Sequence, residues 1–171
     1  DTWGEIASFN DYPIDGRRLS LSYPQGIPET GAGAAASNKE RKPIWFVAQD
    51  FECIHSRFNF VFPSVVQQRC MVYTALIHGA TGIVQFALDS FVTRDGNVVG
   101  IAPNPQAKYS IGTVATPSQL RQSRDMWNAT ISLNGELKQL TPALLSPTAN
   151  IPYEIALDDK WKPITKDPIR C

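Results

Sequence analysis

The residues best placed to do chemistry in this chain stand where apolar runs end. Gln49, Asp50 and Glu52 follow the run 44–48, Asp89 follows the run 83–88, and Asn10, Asp11 and Tyr12 follow the short run 6–9. Asp50, Glu52 and Asp89 can exchange a proton or attack as nucleophiles, whereas the amide of Gln49 can only bind. The two histidines, His55 and His78, are distant in sequence, and no Cys or His pair has ligand spacing, so no metal is expected. His78 falls at a helix end, where an imidazolium suits the dipole. The chain has no Gly-x-Ser-x-Gly elbow, P-loop or dinucleotide fingerprint, and no cofactor is expected.

These positions gain meaning from the elements that would hold them. The run Ile44-Trp45-Phe46-Val47-Ala48 shows no alternation. A strand apolar on both faces must be covered on both, as in the parallel sheets of α/β proteins, where the loops beyond the C-terminal strand ends carry the function. Residues 6–9 form a shorter strand, followed by a Pro- and Gly-punctuated turn over 10–16. Residues 20–42 read as irregular, and Gly31-Ala32-Gly33-Ala34-Ala35-Ala36 fits a linker or a short helix through 34–41. A long loop rich in aromatics (Phe51, Phe58, Phe60, Phe62) runs to Pro63, with His55 and Arg57 inside it. Ser64 then caps a helix, with Gln67 completing a capping box. Val66, Cys70, Tyr73 and Ile77 are its expected buried stripe, Trp45 is expected in the core, and Gly79 is expected to close the helix.

Strand 83–88 leads into about two dozen residues of loop, with Asp95-Gly96-Asn97 as a turn. A second helix opens at Thr116, with Pro117 at its first position and Gln119 completing the box. Its inner face is read as Met126, Thr130, Leu133, Leu137, Leu140 and Leu144, and its end near Ser146-Pro147. The tail 151–171 changes to short β segments, which marks a boundary between a unit at 1–150 and the start of a β domain at 151–171. The order of elements predicts βα units and a parallel sheet.

Composition narrows the class. The 171 residues suffice for a packed domain, and 16 basic residues balance 16 acidic ones. That balance gives no case for nucleic acid or an anionic membrane, and no apolar run approaches the roughly 20 residues of a membrane span. Starting at Asp1, the sequence reads as processed or excised. Cys53 and Cys70 either bridge the loop to the following helix or act as small apolar residues, and Cys171 is the last residue. Asn128-Ala129-Thr130 is a glycosylation sequon, which points to a secreted glycoprotein.

Several stretches resemble a known family. They are Lys42-Pro43-Ile44-Trp45-Phe46-Val47-Ala48-Gln49, then 69–83 with its Tyr73-Thr74-Ala75-Leu76-Ile77-His78-Gly79-Ala80 segment, Trp127-Asn128-Ala129-Thr130, and Leu133-Asn134-Gly135-Glu136-Leu137. Together they resemble the last three units of (β/α)8-barrel glycoside hydrolases of the clan-A type. The resemblance covers roughly 1–150. It implies an α/β chain forming part of a TIM barrel, strands six to eight, that leads into a β-sandwich. It further implies that Asn10, Asp11, Tyr12, Gln49, Asp50, Glu52, Asp89 and Phe91 share one mouth, which would bind a carbohydrate substrate and hydrolyse its O-glycosyl bond.

On that reading Glu52 and Asp50 are the catalytic candidates. Asn10, Asp11, Tyr12, Gln49, Asp89 and Phe91 would hold the sugar, and Asn128 would carry a glycan. The sequence departs from the family at Gln49, where retaining members place a nucleophilic Glu. Their acid/base Glu comes from a strand that this chain does not contain. A retaining mechanism needs two carboxyls about 5–5.5 Å apart, so the rest of the barrel is expected as a second polypeptide. The rival reading is a carbohydrate-binding barrel protein without catalysis, which the neutral Gln49 favours. A barrel lyase or isomerase ranks third.

Overall fold

The computed structural model describes residues 7–10, 12, 14, 27, 42–55, 59–93, 96–102 and 115–146. In chain order they form β1 (Ala7–Asn10), β2 (Ile44–Gln49), β3 (Glu52–His55), β4 (Asn59–Phe60), α1 (Val65–Ile77), β5 (Gly82–Phe86), β6 (Phe91–Thr93), β7 (Gly96–Val99) and α2 (Pro117–Leu144). Asp11, the segment 31–41, Arg57 and Phe58, the β segments expected over 151–171 and Cys171 lie outside these residues.

Two sheets divide the strands. The first is parallel, in the order β1-β2-β5, with Phe9 opposite Phe46 and Val47 opposite Val84. α1 makes the crossover from β2 to β5, as a parallel pair requires. Thr81 sets the start of the β2–β5 ladder: its N–H donates to Ile44 O at 2.7 Å, and its hydroxyl accepts from Ile44 N at 3.1 Å. The second sheet is antiparallel, in the order β4-β3-β7-β6. It is built from the two excursions that leave the C-terminal ends of β2 and β5. β3 pairs with β4 on one side and with β7 on the other, Glu52 facing Val99 and Cys53 facing Val98.

This architecture overturns the barrel expectation. Among the described residues the parallel strands form an open sheet of three, and the other four strands pair antiparallel among themselves. Among the described residues no barrel closes, and they form a small α/β structure rather than the last units of a clan-A hydrolase barrel. The sequence misled because buried parallel strands joined by a helix look alike in any α/β fold. Nothing local announced that the stretches after β2 and β5 pair with one another.

Both helix starts follow the reading. Ser64 and Thr116 accept from the backbone N–H of Gln67 and Gln119, whose side chains return the bond to the cap residues. Gly79 follows α1 with φ 99°, where a Cβ would be strained. The buried face of α1 differs from the expected stripe. Gln68, Met71, Val72 and Ala75 point inward, while Val66, Cys70 and Ile77 are exposed. The sequence of α1 is apolar around most of its circumference, so periodicity alone fits more than one face.

Ile44, Phe46 and Ala48 of β2 select the face that packs, in a core with Met71, Val72, Ala75 and Leu133. α2 buries Ser123, Met126, Thr130 and Leu133, and Leu140 stays exposed. Arg69 on α1 clamps Glu136 on α2 through two bonds of 2.6 and 3.0 Å. The opposite face of the parallel sheet carries Trp45, which is 40% exposed rather than core, with its indole lying against Gly82.

Gly100 closes the excursion that leaves β5, where its outgoing and returning ends lie side by side. A Cβ there would come within 2.5–2.7 Å of the carbonyl oxygens of Ala87, Leu88 and Asp89. The same segments exchange bonds from Ile101 N to Ala87 O and from Ala102 N to Leu88 O, and Ser123 Oγ donates to Gly100 O. Gly100→Ala should therefore lower stability by about 2–3 kcal/mol. Gly135→Ala, on the exposed side of α2 with open space for the new methyl, should raise it by about 0.5–1 kcal/mol. Met71→Ala should cost about 2–5 kcal/mol and Val66→Ala under about 0.5. Urea denaturation of the four variants checks both the clamp and the orientation of α1.

Candidate functional site

The C-terminal end of β2 gathers most of the expected site residues that the structure describes. Gln49 is fully buried. Its Oε1 accepts from Ile14 N at 3.0 Å, and its Nε2 donates to Ile14 O and Val61 O, each at 3.0 Å. The side chain thus acts as an extra peptide group that staples two irregular segments to the strand end. It is spent on backbone rather than turned to solvent.

Asp50 is also fully buried and lies on the helix side of the strand, continuing the line of Ile44, Phe46 and Ala48. Its N–H donates to Phe86 O at 2.7 Å, which carries the β2–β5 pairing one step beyond the strand. Gln68 Nε2 donates to Asp50 Oδ1 at 2.9 Å and to Thr130 Oγ1 at 2.7 Å, so one amide joins β2, α1 and α2. Burial pushes the Asp50 carboxyl from 3.8 up to about 7, and the Gln68 bond only partly offsets it. Asp50 Oδ2 and Gln68 Oε1 are both buried acceptors without a donor. Protonated, Asp50 carries an O–H donor to set against these acceptors. With its value near 7, Asp50 is shared between the acid and the carboxylate at neutral pH.

Glu52 opens β3 and is half-buried. Its Oε1 accepts a short hydrogen bond from Gln119 Nε2, so the residue that completes the α2 cap also tethers this carboxylate. Around these groups lies an aromatic cluster. Tyr12 packs edge-on to Phe51 at 5.1 Å and nearly parallel to Phe86 at 6.1 Å, and Phe51 meets Phe60 and Phe86 at 5.7 and 5.4 Å. Phe91 extends the cluster from Phe86 at 6.4 Å. Phe86 and Phe91 are 37% and 36% exposed and form its solvent edge. Asp89 lies exposed between them in sequence, its Oδ1 accepting from Ser90 N. Cys53 is buried in the same cluster, where burial pushes its thiol up, while Cys70 is exposed on α1. Both are free thiols, so of the two readings open from the sequence the bridge is the one not formed.

The structure therefore brings Tyr12, Gln49, Asp50, Glu52, Asp89 and Phe91 to the ends of β2 and β5. Asn10 ends β1, beside Val47 of β2, and Asp11 lies outside the described residues. Asn128 is exposed on α2. Four participants escaped the sequence reading: Gln68, Gln119 in its second role, Ser123 and Phe86. Gln68 could have been found as the polar member of the set 68, 71, 72 and 75 on α1. Among the described residues no three His, Cys, Asp or Glu side chains come together as a metal site.

The Asp50 pair makes stability depend on pH. A folded-state value above the unfolded one means that the native chain binds more protons at this group, so the Asp50 contribution to stability is fully present below about pH 4. It falls as pH rises through about 7, by on the order of 4 kcal/mol. Asp50→Asn keeps a donor and an acceptor in place without a charge. Its denaturation midpoint should stay flat between pH 5 and pH 8 and exceed that of the wild type at pH 8. An equal fall in both proteins would place the effect elsewhere.

No known protein family, no curated protein and no solved structure matches this chain. Its chemistry is accordingly read from the strand ends themselves.

Proposed function

We propose that this chain handles carbohydrate outside the cell as part of a glycoside hydrolase, contributing the sugar-binding mouth and one carboxylate. The observation that carries the reading is the solvent edge formed by Phe86 and Phe91 at the ends of strands that also bear Glu52 and Asp89. Aromatic faces suit the apolar faces of sugar rings, and carboxylates suit their hydroxyl groups. Glu52 is the carboxylate that serves the reaction, as base or nucleophile, because it is only half-buried and Gln119 fixes its orientation. Phe91, Asp89 and Tyr12 line the sugar site, and Asn10 is a further sugar-binding candidate by its place at the end of β1. Asp50 and Gln49, both fully buried, shape the strand end behind it.

A second reading, binding without catalysis, is favoured by one specific observation. Gln49 and Asp50 have turned inward, which leaves the described mouth with Glu52 and Asp89 as its carboxylates. The two readings separate in one set of measurements on aryl glycosides and oligosaccharides. For a hydrolase, Glu52→Gln should lower kcat by about 10²–10⁴-fold, while Phe91→Ala should weaken binding by about tenfold with kcat retained. Calorimetric binding with no product formed supports the second reading. Full turnover by Glu52→Gln would remove the chemistry from this carboxylate.

A further inference from the structure

We infer that Asn128 is an N-glycan attachment site that must be filled before α2 packs, and that the glycan then covers an apolar patch on the outer side of that helix. Three observations meet here. Asn128-Ala129-Thr130 is the single Asn-x-Ser/Thr tripeptide in the sequence. Asn128 is exposed, on the side of α2 away from Met126, Thr130 and Leu133. Its neighbours Trp127 and Ile131, one residue before and three after, are 41% and 56% exposed, large apolar groups on an otherwise polar helix face.

The order of events follows from Thr130. The acceptor is read as a tripeptide that includes the hydroxyl. In the folded chain that hydroxyl is 5% exposed and accepts from Gln68 Nε2 at 2.7 Å, and the tripeptide is wound into a long helix. A transferase has access to it only in the unpacked chain. The donor is an oligosaccharide on a lipid pyrophosphate. A bond forms between Asn128 Nδ2 and the anomeric carbon, and the bond from that carbon to the pyrophosphate oxygen breaks. One amide proton passes to a base on the transferase, and the lipid pyrophosphate leaves with the bonding pair.

Once attached, the glycan lies beside the indole of Trp127, whose face can take a sugar ring. It stands about 14 Å along the helix axis from Gln119 and the Glu52 carboxylate, and so leaves the strand-end mouth open. The inference is independent of what that mouth binds.

The test is to express the full chain through a eukaryotic secretory pathway and measure its intact mass before and after treatment with an N-glycosidase. The expected result is a loss of mass that leaves Asp at position 128, absent in Asn128→Gln. A secreted, folded wild-type chain with no glycan on Asn128 overturns the site. The order is tested with unglycosylated folded chain, a synthetic peptide covering 124–134, and microsomal transferase with its lipid-linked donor. Modification of the peptide but not of the folded chain is expected, and modification of both at equal rates overturns the order. Tryptophan fluorescence reads the covering: less quenching by iodide in the glycosylated chain than in Asn128→Gln is expected, with Trp127→Phe identifying the signal. Equal quenching overturns the covering.

Discussion

The structure turns on the amide of Gln68. It donates to the Asp50 carboxyl at the end of β2 and to the Thr130 hydroxyl on α2, from a position inside α1 where neighbouring turns contribute Met71, Val72 and Ala75. Apolar burial alone is non-directional, whereas hydrogen bonds between buried groups are steep in distance and angle. The Gln68 bonds therefore fix where α1 sits along β2 and how α2 lies across α1. The Arg69–Glu136 pair one residue along repeats the same α1–α2 register at the surface. An unpaired polar group in this interior would cost far more than the bond contributes, so the three residues belong together or not at all.

From that fixed point the strand end is built outward. Gln49 binds the backbone of Ile14 and Val61, and Asp50 extends the ladder to Phe86. Two consecutive residues thus tie the strand end to different partners, Gln49 to the backbone of Ile14 and Val61, and Asp50 to β5 and the helices. The aromatic cluster then has a rigid base, with Phe51 buried between Tyr12, Phe60 and Phe86. The exposed edge at Phe86 and Phe91 is the outer rim of that packed group rather than a pair of loose surface rings.

Much of the local structure was legible in the sequence because it is locally determined. Both capping boxes, the left-handed Gly79 and the two long parallel strands depend on residues within a few positions of each other. What was hidden depends on distant partners. The alternation of buried Phe51 and Cys53 around half-buried Glu52 is a strand signal, but its partners Val98 and Val99 lie beyond α1 and β5, and aromatic residues in a connection look equally suited to a loop. The inward face of α1 was misread because it contains Gln68 and because Val66 and Ile77, equally apolar to the eye, are exposed. At the site, residue types indicated carboxylates and an amide. Their burial separated the half-exposed Glu52 from the enclosed Asp50 and Gln49.

The pairing of β3 with β7 has an entropic consequence. β3 leaves the parallel sheet before α1, and β7 returns only after α1 has crossed and β5 has docked. Contacts between segments so far apart in the chain pay a loop-closure entropy that contacts nearby do not. A docked parallel sheet with its crossover helix shortens that loop. The strand-end mouth thus joins segments that the crossover helix and β5 separate in the chain, and its pairing rests on those elements being docked.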